Sequence, residues 1–323
     1  MNNYEDYRMA SLSSKVLSLA SLNSEDTLSK LTCVCLNAWD GSKEWSMEML
    51  QNECIQALAA SGDWVAVATD AGHLRIYSHA GTQRQILSPP GQIVSMAGHE
   101  QLLFVVCHGG MGLPGCQDLR FIIYEISRIY VRAITPCQTL PIFPKSTLKW
   151  IGFTDEGTPC TFDSEGILRF LSRDLMTWVV ACDMRMHRKS KLDHYFVIGV
   201  SERYQNVRCI LCKGSYYPMT TPRPTVIEIP LKLPFCEPDA EKTGFEDTFW
   251  RLIFSLPILE SLSENNYEYK NEASDMEKLL KQTVIKLFAV SFDILDHSAF
   301  DNDQLRLGYV YRHFSLLTSK NRH

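Results

Sequence analysis

The sequence predicts a mainly β chain, a β-propeller followed by a short α-helical bundle, and three observations predict it. From Leu31 to Phe235 short apolar runs rich in Val, Ile, Phe and Trp alternate with Gly, Asp, Pro and Ser, the punctuation of strands and turns. A unit of strand, polar turn and strand recurs near Val65, Leu103, Ile151 and Phe196. A period of about 40–50 residues holding about four strands is how propeller blades read in a sequence. After Pro234 the apolar period becomes that of a helix. The expected organisation is a polar segment over 1–30, a propeller over 31–235 and a helical region over 240–323. The middle segment has room for about four to five blades.

Residues 1–30 are rich in Ser and Leu, and the pattern predicts a short helix through Lys15-Val16-Leu17. The clearest strands are Trp64 to Thr69, Leu74 to Tyr77, Leu102 to Val106, Phe121 to Ile126 and Leu148 to Phe153. They continue with Ile167 to Leu171, Trp178 to Cys182, Tyr195 to Val200, Val207 to Leu211 and Thr225 to Ile229. Asp155-Glu156-Gly157 and Asp163-Ser164-Glu165-Gly166 are the plainest turns. Trp39-Asp40 suits a WD-type blade but occurs once. Further on, Phe245, Phe249, Leu252, Ile253 and Leu256 follow helical spacing behind a capping box, Thr243-x-x-Glu246. Pro257 is expected to end or kink that helix. A second helix is expected from Ser274, where Ser274-x-x-Glu277 repeats the box ahead of a stripe through Met276, Leu279, Leu280, Val284, Leu287 and Phe288. From His297 the pattern is less regular and ends in a basic tail with Lys320 and Arg322.

At 323 residues the chain has the length of about two ordinary domains. With 45% hydrophobic and 21% charged residues it is not a disordered composition. A net charge of −5 excludes a general polycation, so nucleic acid would be gripped only by a local patch. No run approaches the roughly 18 apolar residues of a membrane span, and Met1 to Asp6 lacks the pattern of a signal peptide. A soluble intracellular chain is the expectation, with no membrane partner. The 11 cysteines are scattered from Cys33 to Cys236, which reads as reduced, mostly buried thiols. Cys209 and Cys212 form the one C-x-x-C, without a second pair or histidines at ligand spacing, so a structural pair is favoured over zinc.

Gly110-Met111-Gly112-Leu113-Pro114-Gly115 spells G-x-G-x-x-G after a strand. A dinucleotide site needs a helix to begin there, whereas Pro114 and the strand-like Leu119 to Ile126 follow. A loop between strands is the reading adopted, and no cofactor is expected. His99-Glu100 lacks the second histidine of H-E-x-x-H. Asp155-Glu156 and Asp163 with Glu165 would pair as acid and base, but each precedes a turn glycine, where acidic residues are ordinary. No catalytic set is therefore assigned. Arg185, His187, Arg188, Lys189 and Lys191 form the strongest basic cluster. Its two readings are phosphate contact through Arg185, Arg188, Lys189 and Lys191, and a solvated loop before the strand at Tyr195; the second is favoured, since no aromatic residue is interleaved to stack bases.

Several stretches are more specific than a generic propeller. Trp150-Ile151-Gly152-Phe153 runs on through Asp155 to Cys160 and into Asp163-Ser164-Glu165-Gly166-Ile167. Val94 to His99, Asp193-His194-Tyr195, Arg208-Cys209 with Cys212-Lys213-Gly214, and Pro222-Arg223-Pro224 accompany it. Leu231 to Pro234, Phe249-Trp250-Arg251 and Tyr267-Glu268-Tyr269 complete the order. Together these resemble the SepB, or minichromosome-loss, middle region of the replisome adaptor family, over residues 20–295. The resemblance implies a six-bladed propeller and a helical bundle, a disc-shaped homotrimer in the nucleus, and no catalysis. It also implies an adaptor that links the replicative helicase, through GINS, to DNA polymerase alpha, with short amphipathic helices of the partners docking on the bundle. The family's N-terminal WD-repeat domain and C-terminal HMG box are not found here, the first blade is expected to be incomplete, and the match fades after Asp296. No docking residue is carried over, and weak peptide docking is expected. A propeller that contacts DNA through the 185–191 loop is the rival reading.

Overall fold

The computed structural model describes residues 3, 5–24, 27–37, 43–112, 115–172, 176–237, 239–263 and 267–296. Trp39-Asp40, Leu113-Pro114 and the segment from His297 to the end lie outside them. The chain divides into two compact units, Met1–Pro234 and Phe235–His323.

The first unit is a succession of antiparallel sheets, each built mainly from consecutive strands. The first contains β1 (Tyr7–Leu12), β2 (Val16–Ser21), β3 (Lys30–Cys35) and β4 (Glu44–Glu48). The second contains β5 (Ile55–Ala60), β6 (Trp64–Thr69), β7 (Leu74–Ser78) and β8 (Gln83–Leu87). In the third, β9 (Ile93–His99), β10 (Leu102–His108), β11 (Leu119–Ile126) and β12 (Val131–Ala133) are joined by β13 (Gln138–Thr139), which also pairs with β11. The fourth holds β14 (Leu148–Phe153), β15 (Pro159–Asp163), β16 (Ile167–Ser172) and β17 (Thr177–Asp183). The fifth has three described strands, β18 (Asp193–Ser201), β19 (Asn206–Lys213) and β20 (Val226–Pro230). The first strands of successive sheets are neighbours: β1 lies beside β5, β5 beside β9, β9 beside β14 and β14 beside β18. This is a propeller arrangement, with sheets stacked as blades.

The core sits between blades, and the period of a strand explains it. In β6, Val65 and Val67 point toward the first sheet, where they meet Val16 and Leu31, with Tyr77 of the adjacent β7 in the same cluster. Their neighbours Trp64, Ala66 and Ala68 point the other way, toward Leu103, Val105 and Ile122 of the third sheet. In β10, Phe104 and Val106 pack with Phe121, Ile151 and Trp178 on the side of the fourth sheet. A strand covered on both faces reads as a continuous apolar run, not an alternation. Phe162, Phe170, Val197 and Val207 fill the last interface, between the fourth and fifth sheets.

Two expectations for the beginning of the chain are corrected. Lys15 ends a turn, and Val16-Leu17 begin β2, not a helix. The first sheet has four strands, so it is not the incomplete one. The physical reason is a period of two hidden among small residues: Val16, Ser18 and Ala20 are buried on one face of β2, and the Cys33 thiol donates to the Ser18 hydroxyl at 3.3 Å.

The second unit contains α1 (Glu241–Ser263) and α2 (Tyr267–Asp296), packed along one another. The Lys286 ammonium lies over the Phe245 ring at 5.5 Å, so the start of α1 is beside the later half of α2, as in an antiparallel hairpin. Three details depart from expectation. Helix α1 begins before Thr243, which is buried inside it and not a cap. Of the two outcomes expected at Pro257, the helix does not end there and runs on with Leu252, Ser255 and Leu259 buried on either side; packing offsets the roughly 3 kcal/mol that an interior proline costs. Helix α2 starts at Tyr267, ahead of Ser274, because no breaker separates them and a capping-box pattern is only local.

Candidate functional site

The predicted basic cluster lies on the connection from the fourth sheet to the fifth. Asp183 starts a 3-10 turn, Met184–His187, by accepting from the Arg185 backbone N–H at 2.9 Å. Met184 is buried beneath it. At the far end, buried Asp193 accepts the backbone N–H groups of Lys189 at 3.1 Å and Ser190 at 3.0 Å. The Tyr195 hydroxyl donates to the His187 carbonyl at 2.9 Å. The loop is thus pinned at both ends, and its cations differ in state. The Arg185 guanidinium is spent on Asp183, at 2.7 Å. Arg188 is half-buried, and its Nε has no hydrogen-bond partner. Lys189 and Lys191 are exposed and form no ion pair with a described carboxylate. His187 is held below the ordinary imidazole range, first by burial and then by the nearby Lys232 charge, so it adds no charge at neutral pH.

The fold adds what the sequence did not show. Tyr216 and Tyr217, on the connection from β19 to β20, are 61% and 74% exposed. They share a cleft with Arg188, Lys149 and His194. The His194 and Tyr216 ring centroids are 4.3 Å apart, and the Lys149 ammonium lies 4.9 Å from the Tyr216 centroid. A cavity of about 700 Å³ adjoins the cleft at Tyr195 and takes in Lys189 and Lys213. A third, of about 600 Å³, shares Lys213 and Tyr217 and includes Arg223. Aromatic residues are therefore interleaved with the cations in space, though not in sequence, which corrects the expectation that none was. Of the carboxylates lining these cavities, Asp163 holds Arg169 at 2.6 Å, Asp193 accepts its two amides, and the exposed Glu228 accepts from the Asn206 side-chain amide at 2.9 Å.

Elsewhere the comparable groups are already satisfied. A cavity of about 710 Å³ among loops of the first three sheets contains Lys15 and Arg128, both directed at Asp63, and Arg84, which donates to the Ser127 carbonyl. The described part of the glycine motif is a loop between β10 and β11, with Gly112 and Gly115 at φ +62° and +78°. No helix begins there to present amides to a pyrophosphate. Cys209 and Cys212 are buried in β19, and burial pushes the Cys209 thiol up to about 12. Among the described residues no cluster of metal-binding side chains is found, and no helix is long and apolar enough to cross a membrane. Glu156 accepts from the Ser201 hydroxyl and the Glu202 and Arg203 amides, and Asp155 pairs with Arg208. These acidic residues brace turns.

Comparison with known proteins follows the sheet unit closely. The family model described as minichromosome loss protein, Mcl1, middle region, matches residues 1–235. WD repeat and HMG-box DNA-binding protein 1 of Homo sapiens is 42% identical over 296 residues, covering 90% of this chain and 26% of the relative. Its Xenopus laevis counterpart is 41% identical over 293 residues, with the same shares. Minichromosome loss protein 1 of Schizosaccharomyces pombe is 29% identical over 240 residues, 71% of this chain and 27% of that protein. The chain thus spans about a quarter of the length of these relatives. Among solved structures, that of HIRA(644-1017) covers 55% of each chain at 19% identity and a TM-score of 0.41.

Proposed function

The chain belongs to the minichromosome loss protein family, whose middle region it carries, and from that premise we propose that it acts as a non-enzymatic adaptor in DNA replication. In this reading it works in the nucleus and links the replicative helicase, through GINS, to DNA polymerase alpha. The observation that carries it is the continuous similarity to a DNA-binding WD-repeat protein across 90% of the chain. The chemistry of the surface is in keeping with it, since the turn carboxylates are engaged in braces and an adaptor needs surfaces, not a reacting centre. In the helical unit Trp250, Leu279 and Ile285 are exposed, Leu279 in spite of its place in the expected stripe, and exposed apolar side chains on helices are what a partner's amphipathic helix packs against. A homotrimer would let weak contacts of that kind add up.

A bridging assay tests the proposal. GINS is immobilised and purified DNA polymerase alpha is added with and without the full chain. Retention of the polymerase only when the chain is present is the expected result. Retention that does not depend on the chain overturns the adaptor reading.

A further inference from the structure

We infer that the end of the fifth sheet around Arg188, Lys149, Tyr216 and Tyr217 binds single-stranded nucleic acid. The inference goes beyond the adaptor reading and stands or falls without it. A single strand is a flexible polyanion with exposed flat bases, so its site needs cations along a track and aromatic faces open to solvent. Both are present at this end of the sheet.

Most arginines of the sheet unit are committed: Arg75 to Glu53, Arg132 to Glu125, Arg169 to Asp163, Arg185 to Asp183 and Arg208 to Asp155. In contrast, Lys149, Arg188, Lys189, Lys191 and Lys213 have no ion pair with a described carboxylate. Four of them, Lys149, Arg188, Lys189 and Lys213, line two adjoining cavities on a chain whose net charge is −5, while Asp163 and Asp193 beneath them are turned inward.

The rings are the second, independent part. Tyr217 is 74% exposed, and its nearest ring, Phe196, has its centroid 6.4 Å away. Tyr216 is held against His194 and Lys149, so that ring is positioned before any ligand arrives and loses little side-chain entropy on binding. The three cavities share Tyr195, Lys213 and Tyr217 pairwise in their linings, the spread expected of a site for several nucleotides and not of a pocket for one phosphate. A duplex conceals its base faces, and an acidic peptide has none. Each would use the cations and leave Tyr217 without a role.

The test is fluorescence anisotropy of the full chain with a labelled oligothymidylate of about 20 nucleotides, compared with a duplex of equal length and with polyglutamate. Oligothymidylate is expected to bind most tightly. Tyr217→Ala is expected to weaken it about tenfold, with Tyr217→Phe restoring binding. Lys149→Glu and Arg188→Glu should each lower the slope of log affinity against log salt by about 0.7. Because Tyr217 is exposed, thermal unfolding of its variants should match that of the natural chain. Failure of the natural chain to bind oligothymidylate at low salt overturns the inference. So does equal binding of duplex or polyglutamate with no effect of Tyr217→Ala, an outcome that assigns the surface to polyanions through charge alone.

Discussion

Glu53 is a carboxylate buried to 2% exposure and held by four donors. Arg75 reaches it with Nε at 2.8 Å and Nη2 at 2.6 Å, joined by the Thr69 hydroxyl at 2.7 Å and His73 Nδ1 at 3.2 Å. Arg75 belongs to a Leu-Arg step that recurs on the third strand of three sheets, at Leu74-Arg75, Leu119-Arg120 and Leu168-Arg169. The Arg75 hydrogen bonds, seconded by Thr69 and His73, lower the Glu53 carboxyl from 4.5 to about 2. Because the unfolded chain then binds the proton more tightly, this stability is complete above about pH 4.5 and is lost as pH falls through about 2. A gap of that size corresponds to about 3 kcal/mol. Unfolding free energies of Glu53→Gln, measured by denaturant titration, should therefore fall less between pH 5 and 2 than those of the natural chain, by about that amount. At pH 7, Arg75→Met should cost about 3–5 kcal/mol by leaving the carboxylate buried alone. Parallel pH profiles for Glu53→Gln and the natural chain would refute the assignment. The candidate site was half legible at this same scale. A charge cluster is visible in any sequence, and Arg188, Lys189 and Lys191 stand where it placed them. Tyr216 was not, because its partner Lys149 lies on a different sheet and only folding brings them together.

Strands with two covered faces were the easiest elements to read, and β6 and β10 are continuous apolar runs for that reason. The repeat was seen with its phase mixed. Val65 and Leu103 fall on the second strands of their sheets, whereas Ile151 and Phe196 fall on first strands. Apolarity peaks wherever burial is deepest, and that is not the same strand in every blade. The strands β1 and β2 escaped because serine fills positions where other blades use valine. How closely the blades approach is visible at Gly98 in β9. A Cβ there would stand 2.8 Å from Trp64 Cη2 and 2.9 Å from the Ala60 carbonyl oxygen, both on the neighbouring sheet. The Trp64 indole cannot swing aside without losing its 2.9 Å hydrogen bond to the Glu100 carbonyl. Gly98→Val should accordingly destabilise the sheet unit by at least 1–3 kcal/mol, roughly the cost of overpacking. Gly244→Ala in α1, where a Cβ meets nothing within 4 Å, should instead stabilise by about 0.5–1 kcal/mol. Thermal denaturation of both variants checks the contrast, and a neutral Gly98→Val would mean that the sheets are not in contact there.

For the molecule as a whole, the fifth sheet is the place where the blade logic stops among the described residues. Each earlier interface buries apolar side chains from both partners, and one face of the fifth sheet does the same with Val197, Val207 and Cys209 against the fourth. Its other face does not. Across the ladder Phe196 stands opposite Ile210, and Ile210 opposite Val226, a row in which Phe196 is 37% and Val226 52% exposed. The strand at the end of that row, β20, has one described neighbour, β19, so among the described residues its other edge has no ladder partner. An apolar row ending at an open edge is a template for association. The chain should therefore gain apparent mass with concentration in light scattering. Placing lysines on the row, Phe196→Lys with Val226→Lys, should suppress that gain, since charge on an edge strand opposes pairing. Val226 is the more exposed of the two, so the unfolding free energy of Val226→Lys alone should hold to within about 0.5 kcal/mol, which separates lost association from lost folding. A mass that stays that of one chain at every concentration, or an association that survives both lysines, would show that this face is not the one that self-associates.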